Sequence, residues 1–144
     1  MNSAARQLNE LIEIARDGQR FYQQAVYEVS DPRLQELFEF MIRAKTAVID
    51  ALSSQVAASN ETLAAAGTLL GRLRQVYAET RASLASDEEA LCVAQLEEAE
   101  DRILLAFEDA LHDGTPETRA LLRAEFPKVR ACHDQLSQLK HSLG

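Results

Sequence analysis

Apolar positions in this chain recur every three or four residues over four long stretches, the spacing of helices with one buried face. The first stretch carries Leu8, Leu11, Ala15, Tyr22, Val26 and Val29, the second Leu34, Leu37, Met41, Val48, Leu52 and Val56. The third carries Cys92, Val93, Leu96, Ile103, Phe107 and Leu111, the fourth Leu122, Phe126, Val129, Leu136 and Leu143. Helix breakers set the limits. Ser30-Asp31-Pro32 supplies a cap and a proline suited to a first helical position. Ser86-Asp87-Glu88-Glu89 has the form of a capping box. Gly114-Thr115-Pro116 closes one helix and opens the next. The pattern therefore predicts helices over 3–29, 32–57, 87–113 and 116–142, each roughly 27 residues and about 40 Å long.

The first and third joints are short, which predicts two antiparallel hairpins. The stretch from Ala58 to Ala85 is long and has its own amphipathic set: Leu69, Leu70, Leu73, Val76, Tyr77 and Leu84. It predicts a crossover containing a fifth helix that starts near Gly67 or Thr68. Two hairpins joined by one long crossover make a ferritin-like four-helix bundle; a five-helix bundle without that symmetry is the alternative. Residues 1–144 read as a single all-α domain. The 5 glycines and 3 prolines are too few for a many-stranded sandwich or barrel.

Five polar residues interrupt the stripes, each near the middle of its helix: Gln19, Lys45, Glu100, Glu125 and His133. If the second and third helices run parallel, Lys45 and Glu100 are level. The prediction is a polar layer across the middle of the bundle. A buried charge is costly unless paired, so Lys45 and Glu100 are expected to pair, with Gln19 and His133 completing the bonding.

The competing reading of such a layer is a metal centre. Ferritin-like di-iron sites take a Glu from each of two helices and Glu-x-x-His from the other two. Here the corresponding windows are Arg43-Ala44-Lys45-Thr46 and Arg130-Ala131-Cys132-His133. A lysine in the layer would repel two cations and could stand in for their charge. No metal and no cofactor is therefore expected. If a metal binds, Glu100, Glu125 and His133 are the candidate ligands. No residue is assigned as catalytic: there is no Gly-rich phosphate loop, nucleophile elbow or Cys-x-x-Cys. Cys92 and Cys132 fall on inward faces and are expected to be reduced thiols in a reducing compartment, with a disulfide or redox switch as the alternative. Pro127 is expected to kink the last helix beside the layer or to open room for a ligand.

Charge and hydropathy narrow the partners. With 23 acidic against 15 basic side chains, the formal charge is −8. That balance disfavours nucleic acid, which needs a basic footprint. No run approaches the ~18 apolar residues of a membrane span. The N-terminus lacks the apolar core of a signal peptide. The expected location is cytoplasmic, with no membrane partner. Asn60-Glu61-Thr62 matches a glycosylation sequon that has no use without secretion.

Leu8-Asn9-Glu10-Leu11-Ile12, Asp17-Gly18-Gln19-Arg20-Phe21-Tyr22 and Asp31-Pro32 with Leu34 and Leu37 resemble the opening of an uncharacterised bacterial domain family. Glu97-Glu98-Ala99-Glu100-Asp101 and the stretch from Val129 to Leu136 continue the likeness, which spans about residues 6–140. That family is classed as ferritin-like four-helix-bundle proteins of unknown function. The resemblance implies the ferritin-like fold and no established activity or cofactor. Gln19 stands where the family typically has Glu, which removes a potential ligand, and a basic residue is common near Lys45. Leu73-Arg74-Gln75-Val76-Tyr77 stands where relatives look more like a His-Arg-Gly-Trp segment.

The expected function is a non-catalytic binding or stress-associated module with a metal-free polar layer. It is expected to form homo-oligomers through the crossover helix and exposed apolar edges. The alternative is a metal-binding, oxidoreductase-type ferritin-like protein with a reduced ligand set. A third reading is a small-molecule binder with a pocket near Pro127.

Overall fold

The computed structural model describes residues 3–59, 68–86 and 88–143, and these form an all-α fold with no strand among them. The helices are α1 (Ser3–Ala25), α2 (Pro32–Ser59), α3 (Thr68–Ala85), α4 (Glu89–Asp113) and α5 (Pro116–Leu143). The expectations on Asn60-Glu61-Thr62, Gly67 and Asp87, and on the side chains of Val56, Leu70 and Leu143, lie outside the described residues. Among the described residues, no helix is long and apolar enough to cross a membrane.

Local chemistry sets the helix ends. The pattern predicts α1 to residue 29, but the helix stops at Ala25. Tyr27 N–H donates to the Gln24 carbonyl and Glu28 N–H to that of Ala25, tighter three-residue bonds that close the last turn. This brings Val29 back into the core. Asp31 then caps α2, its Oδ1 accepting the Arg33 N–H at 2.8 Å with Pro32 at the first helical position. The capping box expected for α4 is not formed. Ser86 Oγ donates to the Ala82 carbonyl at 3.1 Å and so finishes α3, and α4 opens without a side-chain cap. At the last joint Gly114 is needed for space: a Cβ there would lie 2.8 Å from the Ala110 carbonyl oxygen. Thr115 caps α5 through the Thr118 N–H.

The helices close a ring in the order α1, α2, α5, α4, α3. Lys140 meets Glu97 and His133 meets Asp101, so α4 and α5 are antiparallel. Arg74 meets Asp17 and Arg81 meets Glu28, so α3 runs parallel to α1. The crossover thus returns the chain so that α2 and α4 point the same way. It also does more than link the hairpins. α3 fills the seam between α1 and α4, burying Leu73, Val76, Tyr77, Thr80 and Leu84. As a result α1 is covered on two sides, and its buried set is wider than a single stripe: Ile12, Ile14 and Phe21 are buried as well. Phe21 stacks on Tyr77 of α3 with ring centroids 5.0 Å apart.

Candidate functional site at the bundle centre

Lys45 and Glu100 meet in the middle of the bundle, 5% and 0% exposed. Their presence inward follows from helix period: each sits among core residues one turn away, Met41 and Val48 on α2, Leu96 and Ile103 on α4. Lys45 Nζ lies 2.8 Å from Glu100 Oε1 and 3.2 Å from Oε2. The Tyr22 hydroxyl donates to the same Oε1 at 3.2 Å. The ammonium also lies 5.9 Å from the centre of the Tyr22 ring, within reach of its negative face. One carboxylate is therefore held by an ammonium and a phenol, each from a different helix.

Three further groups complete the surroundings. Gly18 lets the Lys45 stem and the Tyr77 hydroxyl press against α1; a Cβ there would lie 2.8 Å from Lys45 Cε and 3.0 Å from the Tyr77 oxygen. That hydroxyl is buried and without a hydrogen-bond partner among the described residues. Cys132 lines a void beside Lys45 with Ala15, Val48 and Ile103; at about 10 Å³ it is at the lower limit for one water.

Electrostatics follow from burial and the pair. Burial pulls the Lys45 amine down, but the adjacent Glu100 carboxylate outweighs this, and the amine stays charged well above its ordinary range. Burial and the Glu100 charge push Tyr22 up, and burial, opposed by Lys45, pushes Tyr77 up. The Cys132 thiol is pushed up to about 12 by burial, with Lys45 opposing. Burial likewise pushes Cys92 up to about 12. Both cysteines are free and protonated, which leaves them poor nucleophiles and poor ligands.

The other layer residues predicted from sequence are placed elsewhere. Gln19 is half-buried and donates to Thr46 Oγ1 at 2.8 Å. Glu125 is buried but faces its own helix, accepting from Lys128 at 2.8 Å. His133 sits at the rim, its Nε2 3.4 Å from Asp101 and its Nδ1 3.2 Å from Asp134. Pro127 is exposed on the α2–α5 side. Glu100, Glu125 and His133 are thus each engaged with different partners. Among the described residues, no three His, Cys, Asp or Glu side chains come together in a way that could hold a metal ion. Sequence reading misses the part played by Gly18 and Tyr77. A signal exists for the first: glycine inside a helix costs about 1 kcal/mol relative to alanine, which argues for a close approach there.

The arrangement is a buried ion pair whose carboxylate also accepts from a phenol. No curated protein and no solved structure matches the chain. The family model described as Domain of unknown function (DUF2383) matches residues 3–113, which takes in α1 to α4 and with them Tyr22, Lys45, Tyr77 and Glu100. The chain belongs to this family, DUF2383.

Proposed function

We propose that this protein is a ferritin-like bundle whose centre is closed by an ion pair, and that it works through its surface as a non-catalytic, self-associating module of the bacterial cytoplasm. The observation that carries this reading is the position of Lys45. Its ammonium occupies the level at which a ferritin-like bundle gathers metal ligands, and supplies there the positive charge a metal would supply. The hairpin–crossover–hairpin order and the shared direction of α2 and α4 support the ferritin-like reading.

Metal analysis of protein purified without chelators tests this. The expected result is no stoichiometric Fe, Mn or Zn. One or two tightly held equivalents, lost on Glu100→Ala or His133→Ala, would favour the metal-binding oxidoreductase instead.

A further inference from the structure

We draw no further inference here: the strongest candidate, the groove between α1 and α3 where Arg20, Arg74 and Arg81 stand over the stacked rings of Phe21 and Tyr77, has each of its guanidinium groups already paired with Asp17 or Glu28, and nothing in the structure shows what would cover it.

Discussion

Glu100→Gln removes one charge from the bundle centre and almost no volume. The Lys45 ammonium would be left 5% exposed beside a neutral amide. At 2.8 Å, two unit charges attract by about 6 kcal/mol in an effective dielectric of ~20. Desolvation of several kcal/mol per ion offsets that attraction, so the intact pair contributes little net stability. Losing one member is different, because the desolvation of the other is no longer offset. The expected cost is about 3–5 kcal/mol. For a chain of this size that lowers Tm by roughly 6–20 °C. Urea unfolding followed by helical circular dichroism measures it. The double variant Lys45→Met with Glu100→Gln should return to within about 1 kcal/mol of wild type or exceed it. The pH dependence of the single variant gives a second check. Without the carboxylate, burial alone acts on Lys45 and lowers its pKa. A lysine with a folded pKa below its unfolded one opposes folding at neutral pH and stops doing so as it deprotonates. The deficit of Glu100→Gln should therefore shrink as pH rises. A loss under about 1 kcal/mol, the range of an exposed pair, would refute the buried-pair reasoning, as would a deficit that does not change with pH.

The two helical glycines should respond to alanine with opposite signs. Gly71→Ala meets nothing within 4 Å and should stabilise by up to about 1 kcal/mol, whereas Gly18→Ala collides with the held Lys45 stem and should destabilise by about 1–3 kcal/mol; equal signs in urea unfolding would count against the close approach. Tyr22→Phe forfeits a hydrogen bond to a charged acceptor and should cost about 1.5–3 kcal/mol. Tyr77→Phe removes an unpartnered hydroxyl and should be neutral or stabilising; a cost matching that of Tyr22→Phe would show that the hydroxyl has a partner. Alkaline stability follows from Tyr22, Tyr77, Lys45, Cys92 and Cys132, whose folded pKa values are all raised. Each holds its proton in the folded chain after the unfolded chain has lost it. Their contribution is complete below the ordinary thiol range and is lost as pH rises from about 9 upward. A urea midpoint that holds level between pH 8 and pH 11, about one unit below and about two above that onset, would contradict this.

Much of the fold is legible in the apolar spacing because long amphipathic helices announce both their length and their buried face. Prolines at positions 32 and 116 mark helix starts to within a residue, since proline's fixed φ and missing N–H suit the first helical position. The end of α1 is not legible: Val26 and Val29 keep helical spacing although the backbone tightens and turns between them. The Ser86 box misleads because the same hydroxyl can bond backward to Ala82 as readily as forward. At the centre, Lys45 and Glu100 are legible as charges in apolar stripes, and the parallel run of their helices places them level. For the remaining layer residues a place near the stripe does not decide the partner: His133 reaches Asp101 at the rim and Glu125 pairs with Lys128 on its own helix. Tyr77 belongs to α3, whose place between α1 and α4 is a matter of topology that spacing alone does not encode.

The Nζ resonance of Lys45 reports most directly on whether the bundle centre is a closed ion pair. The chain has three lysines, and Lys128 and Lys140 are exposed, so a protected ammonium signal in ¹⁵N NMR can be assigned by its loss in Lys45→Met. The expected result is a charged, slowly exchanging ammonium at neutral pH that does not move as Zn(II) or Fe(II) is added. A neutral amine, or a signal that shifts or disappears in step with one equivalent of metal, would contradict it.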